Sequence, residues 1–205
     1  MAYAAKRRRK EKRHIFRNFV LSILVLALLA GAVLYFVGTC FDDTKVKFEK
    51  LNYPQKYTDY VEKAAQDYSL DPALIYAVIR TESNFDPTAQ SEAGAYGIMQ
   101  VMPSSFEWLM EKRDTVGEYT AEDLFDPEVC IDYGSYLLKF FYDYYGTEQC
   151  AVAAYNAGFV VSDWLEDSAY SSDGKTLDEI PYPETSSYVS KVETAKQKYI
   201  ELYYS

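Results

Sequence analysis

Twice along this chain, at Asp71-Pro72 and at Asp126-Pro127, an aspartate stands directly before a proline and a run of apolar residues at helical spacing. An aspartate side chain accepts the first unpaired amides of a helix, and proline fits the first helical position, where no amide hydrogen is needed. The stop signals agree with these starts. Gly146 closes the run that begins at Pro127, Thr147 can cap the next, and Gly158 closes that one after Ala157. Ahead of them, Tyr57, Tyr60, Val61, Ala64, Ala65 and Tyr68 form a single apolar stripe at i, i+3, i+4, i+7, i+8 and i+11. Ser104-Ser105-Phe106-Glu107 contains a capping box, which predicts a helix starting just after Pro103. A short helix is expected near 160–165, and a last one carries Tyr188, Val189, Val192, Ala195, Tyr199, Ile200 and Tyr203. Residues 166–183 are acidic, contain Ser, Gly and Pro, and read as a loop. There is no alternating stretch of any length and no internal repeat, so the expected fold is mostly α.

The N-terminal end obeys different rules. Residues 6–17 hold eight Lys and Arg against Glu11, and Phe19 to Val37 is an apolar run broken only mildly by Ser22 and Gly31. A helix of that length spans about 28 Å, close to the hydrocarbon thickness of a bilayer. The expectation is a basic cytoplasmic tail at 1–18, a transmembrane helix at 19–37 and a mixed, charged stem at 38–55, with everything beyond outside the cell. A cleaved signal peptide and a lipid anchor at Cys40 are the alternatives, although Val37-Gly38-Thr39 fits a lipidation site poorly and no A-x-A-like cleavage site stands out. Of 21 Lys and Arg and 31 Asp and Glu, the tail accounts for eight and one, leaving 13 bases against 30 acids. Such an acidic exterior part argues against a nucleic-acid partner, which needs basic patches.

Cys40, Cys130 and Cys150 show no metal-ligand spacing. Cys130 and Cys150 fall on consecutive helices at unequal distances from the turn at Gly146. Antiparallel packing would hold their sulfurs on the order of 15 Å apart, so free thiols are expected. The only histidine is His14, in the basic tail. Ser-His-Asp and Cys-His nucleophile systems therefore lack their base, a histidine-ligated zinc site lacks its ligands, and no Gly-rich phosphate loop occurs.

That directs attention to one carboxylic acid. Glu82 lies four residues after Val78 and seven after Ile75, so it continues the core-facing stripe of the helix that starts at Pro72. Desolvation and the partial negative charge of a helix C-terminus both favour its protonated form. Two readings fit: a proton donor with a raised pKa, or a structural glutamate satisfied by Arg80 or a backbone amide. The residues C-terminal to Glu82 favour the proton donor. Gly94 and Gly97 permit a tight turn, Gln100 brings an amide, and Met99 and Met102 bring adaptable apolar surface.

Glu82-Ser83, Phe85, Pro87, Ala89, Ser91, Gly94-Ala95, Gly97 and Met99-Gln100-Val101-Met102-Pro103 stand in one register. Two further blocks come after them in order: Ala154-Tyr155-Asn156-Ala157-Gly158 with Trp164-Leu165, and Ile180-Pro181-Tyr182 with Glu184-Thr185 and Tyr188-Val189. Over roughly residues 56–202 the chain thereby resembles the lytic transglycosylases of the soluble-lytic-transglycosylase type, which share the goose-type lysozyme fold. The resemblance implies a lysozyme-like helical catalytic domain at 56–205 behind the membrane helix. Its substrate would be the glycan strand of peptidoglycan, cut between N-acetylmuramic acid and N-acetylglucosamine, with no metal and no cofactor. Glu82 would protonate the bridging oxygen and then, as a carboxylate, accept the proton of the muramic C6 hydroxyl, closing a 1,6-anhydro ring. Gln100 and Met102 would contact the sugar and Tyr155 would hydrogen-bond Glu82. Ser83, Asn156 and Glu184 complete the expected substrate-binding set. The chain departs from the family pattern at Ile98 (usually leucine) and at Ser105-Phe106 (usually Thr-Ala). It departs again at Ser186 (usually arginine) and between Gly158 and Trp164, where the usual Pro-Gly is missing and the segment is one residue short. A hydrolytic muramidase and a non-catalytic wall-binding scaffold are the rival functions.

Overall fold

The computed structural model describes residues 21–24, 26–36 and 44–205. The chain divides into two units, Met1–Asn52 and Tyr53–Ser205. In the first, residues 21–24, 26–36 and 44–52 are helical, and apolar side chains such as Leu28, Leu34 and Phe36 are exposed. Among the described residues no helix is long and apolar enough to cross a membrane. The expected span at 19–37 includes residues 19, 20, 25 and 37, which lie outside the described residues, as do the tail at 1–18 and Cys40. The stem, for which the sequence shows no periodic pattern, carries the helix at 44–52.

The second unit consists of seven α-helices: α1 Thr58–Tyr68, α2 Pro72–Ser83, α3 Pro103–Lys112, α4 Pro127–Tyr145, α5 Glu148–Ala157, α6 Val161–Glu166 and α7 Pro183–Tyr199. The expected caps operate at three of them. Asp71 accepts from the Ala73 amide, Asp126 from that of Glu128 and Thr147 from that of Cys150. Gly146 closes α4 in the left-handed region at φ 77°, as a C-terminal glycine should. At α3 the expected helix is present but its capping box is not. The helix starts at Pro103 itself with Met102 in the cap position and no side-chain cap, because proline at the first position already sets the entry angle. The capping box of this fold is elsewhere, between Thr120 and Asp123, opening a short 3₁₀ turn at Ala121–Phe125 that the sequence did not announce. The last helix ends at Tyr199 and continues as a π-helical turn, Ile200–Tyr204.

Helix α2 is the centre of the domain. Ala73 through Ile79 are all buried, so it is enclosed on every side rather than along one stripe. Helix α7 packs along it, α4 packs against α1 and α5, and α5 against α7. Lys196 of α7 bridges Asp71, at the start of α2, and Glu148, at the start of α5, at 3.2 and 2.7 Å. Large side chains such as Tyr76, Tyr133, Tyr199 and Phe106 fill the interior. Cys130 and Cys150 are buried free thiols, as their helix positions required. Among the described residues the only β pairings are isolated bridges, Gln90 with Tyr96 and Tyr96 with Val101, within the segment linking α2 to α3.

Candidate active site

Glu82 occupies the last turn of α2, where the enclosed helix emerges towards the segment 84–102. The residue keeps partial exposure while its carboxyl group is largely desolvated. Desolvation pushes its pKa up from 4.5 to about 7, against the opposing effect of one hydrogen bond. That bond comes from α7: the Tyr188 hydroxyl donates to Glu82 Oε1 at 2.6 Å. Arg80 does not serve as a counter-ion. Its guanidinium donates to Asn84 Oδ1 at 3.1 Å and lies 4.0 Å from the centre of the Tyr53 ring. A carboxylic acid near half-ionisation at neutral pH, with one oxygen fixed by a tyrosine, is suited to give and then take a proton.

The segment after α2 has an unusual backbone. Asn84, Phe85, Gly94, Gly97 and Gln100 all take positive φ. For a non-glycine residue that costs on the order of 1 kcal/mol and persists only where surrounding contacts hold it. Those contacts are identifiable. Ser83 Oγ donates to the Ile98 carbonyl at 2.7 Å, and Gln100 Nε2 donates to the carbonyls of Gly97 and Ala89 at 2.9 and 3.1 Å. Cys130, from α4, accepts the Met99 amide on its sulfur at 3.4 Å. Burial pushes that thiol's pKa up to about 12. Gly134, one helical turn further along α4, lets Met99 approach, since a Cβ there would lie 2.7 Å from the Met99 sulfur.

Tyr155 does something other than expected. Its hydroxyl donates to the Met99 carbonyl at 2.9 Å, and the partner of Glu82 is Tyr188 instead. The two tyrosines belong to different helices, and α7, which packs along α2, carries the one whose hydroxyl bonds Glu82. Burial and the neighbouring Glu82 charge raise the pKa of both hydroxyls well above 10, so both remain donors. Tyr188 stands in the third matching block of the sequence, but its contact with Glu82 was not expected, because its place in the stripe of α7 looks like ordinary core.

The remaining expected residues fall into two groups. Ser83 and Gln100 spend their donors on the loop itself, which leaves the Gln100 carbonyl oxygen as its acceptor for a ligand. Met102 is 38% exposed at the head of α3, and Asn156 is exposed at the end of α5. Asn156 Oδ1 accepts from Thr185 Oγ1 at 2.7 Å, which ties the end of α5 to the first turn of α7, where exposed Glu184 sits. A carboxylate in a first helical turn is favourable without a partner. Glu82, Tyr188, Tyr155 and the loop around Met99 are thus joined directly or through shared contacts, while Asn156 and Glu184 form a separate exposed pair of neighbours linked through Thr185. Among the described residues no group of three His, Cys, Asp or Glu side chains could hold a metal ion.

Comparison with known proteins places the chain in a family. Over 183 residues the chain is 30% identical to the soluble lytic murein transglycosylase of Escherichia coli strain K12, covering 88% of this chain and 26% of that protein. It is also 30% identical over 167 residues to the membrane-bound lytic murein transglycosylase C of Actinobacillus succinogenes, covering 71% of this chain and 47% of the relative. The chain therefore spans about a quarter to a half of the length of these relatives. Its structure superposes on the 70 kDa soluble lytic transglycosylase of Escherichia coli with a TM-score of 0.67 at 27% identity, over 75% of this chain and 25% of that one. The model of the transglycosylase SLT domain matches residues 59–177, more than half of the sequence and the part that carries Glu82, its loop and Tyr155, and the chain accordingly belongs to the transglycosylase SLT domain family.

Proposed function

We propose that this protein is a membrane-anchored lytic transglycosylase. It cleaves the bond between N-acetylmuramic acid and N-acetylglucosamine in peptidoglycan and leaves a 1,6-anhydro end. The observation that carries the reading is the desolvated Glu82 carboxyl, with a pKa of about 7 and one oxygen held by Tyr188. In its neutral form Glu82 protonates the bridging oxygen as positive charge develops at C1 of the muramic ring. The carboxylate so formed then accepts the proton of the C6 hydroxyl while that oxygen bonds to C1, which returns Glu82 to its starting state. The Tyr188 hydrogen bond stabilises the carboxylate between the two transfers. Gln100 and Met102 contact the sugar on the side of the loop, and Ser83 and Tyr155 keep that loop in place. Asn156 and Glu184 meet the substrate at the far rim.

Digestion of purified sacculi by the full chain, followed by mass spectrometry, is expected to release muropeptides one water lighter than their hydrolysed counterparts. Products of full hydrolysed mass would make the enzyme a muramidase. The absence of any released product would leave a wall-binding scaffold.

Anchorage through residues 19–37, with the N-terminus in the cytoplasm and the catalytic domain outside, is supported by the basic flank at 6–17 and by the exposed apolar side chains on the helical residues 21–24 and 26–36. The full chain is expected to stay in the membrane pellet through alkaline carbonate washing. Its release into the wash would remove the anchor from the proposal.

A further inference from the structure

Directly after the site, at the point where the family's usual Pro-Gly is missing, stands a phenylalanine that is half exposed yet firmly held. Phe159 follows Gly158 in the 3₁₀ turn Gly158–Val160 and is 49% exposed. Its ring meets four others: Phe141 at 5.4 Å, Tyr144 at 5.7 Å, Phe140 at 6.1 Å and Trp108 at 6.3 Å between centroids. The turn is fixed from below, because the Tyr145 hydroxyl bonds Ser162 Oγ at 3.0 Å and reaches the Phe159 carbonyl at 3.5 Å. Tyr144 is 59% exposed, and the Lys112 amine lies 4.7 Å over the Trp108 ring. The result is an ordered aromatic surface with Phe159 and Tyr144 facing solvent and a cation at its edge.

This surface adjoins the site through the chain on both sides. Phe159 lies three residues after Asn156, a separation of no more than about 11 Å. Trp108 lies six residues after Met102 along α3, about 9 Å of helix rise. Met102 caps the helix that carries Trp108, and Asn156 lies in the last turn of the helix that precedes Phe159. Rings exposed in this way accept the C–H face of a pyranose, and the amine at the border can meet a carboxylate or hydroxyl.

We propose that the surface of Phe159 and Tyr144 is an accessory glycan-binding site that holds the same strand Glu82 cuts, several sugars beyond the scissile bond. This rests on the reading that peptidoglycan is the substrate. A lipid surface is the less suitable occupant, because the chain beyond the basic tail carries 13 bases against 30 acids and anionic headgroups would be repelled.

The test compares full-chain Phe159→Ala, Phe159→Leu and Phe159→Trp with the wild type on glycan strands of graded length. For Phe159→Leu, which keeps apolar volume without a ring face, the ratio of KM on long strands to KM on short fragments is expected to rise about tenfold. Phe159→Trp should restore the ratio. Phe159→Ala should match Phe159→Leu if it retains a cooperative melt, and the Leu variant alone decides if it does not. Retention on insoluble sacculi by Glu82→Gln, with and without Phe159→Leu, reads the same contact without turnover and should weaken by a similar factor. An equal change in KM at every length, or unchanged retention in the double variant, overturns the proposal. So does a loss of binding to phosphatidylglycerol vesicles with KM on long strands unaltered. If the wild type releases no anhydro product while Glu82→Gln still binds sacculi through Phe159, the accessory surface stands and the assigned activity falls.

Discussion

Replacing Glu82 by Gln will lower the rate of anhydro-product release by about 10³-fold or more and, above pH 7, will make the domain more stable. The first effect arises because in the proposed mechanism one side chain serves both proton transfers, and a positioned acid or base contributes about 10²–10⁴ in rate. Glutamine keeps the shape and can still accept from the Tyr188 hydroxyl, so the loss belongs to the proton and not to the packing. The second effect comes from where the glutamate titrates. Its pKa is about 7 in the folded chain and 4.5 without the fold. Below pH 4.5 the acid is neutral in both states and imposes no cost. As pH rises from 4.5 to 7 the unfolded chain gives up its proton while the folded chain retains it, and stability falls along that interval. Above 7 the penalty is complete, at most about 3 kcal/mol, reduced by whatever solvent reaches the group. Glutamine never incurs it. Thermal melts of the two proteins should therefore coincide near pH 4 and separate progressively up to pH 8, with the variant melting up to about 10 °C higher. Parallel melting curves at every pH, or a variant with ordinary activity, would remove Glu82 from its role.

Gly97→Ala is the substitution that should do the most structural damage. Gly97 holds φ 75°, and a Cβ at that position would lie 1.9 Å from the Leu124 carbonyl oxygen and 2.9 Å from the Cys130 sulfur. Leu124 is fully buried, and its oxygen belongs to the 3₁₀ backbone, so this nearest partner cannot move aside like a flexible side chain. The expected cost exceeds about 4 kcal/mol, enough to lower Tm by 10 °C or more, or to prevent accumulation of folded protein. Gly94→Ala is the control. Its φ is 89°, with nothing within 4 Å of the added carbon, so it should cost only the left-handed backbone penalty of about 1–2 kcal/mol. Similar melting temperatures for the two variants would contradict the close approach of the loop to the 3₁₀ turn.

The two glycines mark how far a sequence can be read. Both announce a turn, but nothing local distinguishes the one pressed against another backbone from the one in open space. The helix starts at Asp71, Asp126 and Thr147 were legible because a cap is chemistry between neighbours two or three residues apart. Glu82 was legible as a misfit, an acid continuing an apolar stripe. Its partner was not, because Tyr188 lies 106 residues away and shares the composition of every other core tyrosine. Tyr155 misled for the same reason: its helix was predictable, but which buried acceptor its hydroxyl meets depends on how α5 and α7 pack around α2. Gln100 looked like a free amide, yet its backbone at φ 51° curls the side chain back onto the Gly97 and Ala89 carbonyls.

Cys130 carries a last implication. Its sulfur supports the loop below Met99 as a weakly polar prop, fully buried and with a thiol group that stays protonated up to about pH 12. Since a thiolate is the form that attacks electrophiles or exchanges with disulfides, burial of this sulfhydryl disfavours both reactions. The loop beside Glu82 is thereby held by a sulfur that is buried and in no covalent cross-link, so its geometry calls for no disulfide at Cys130.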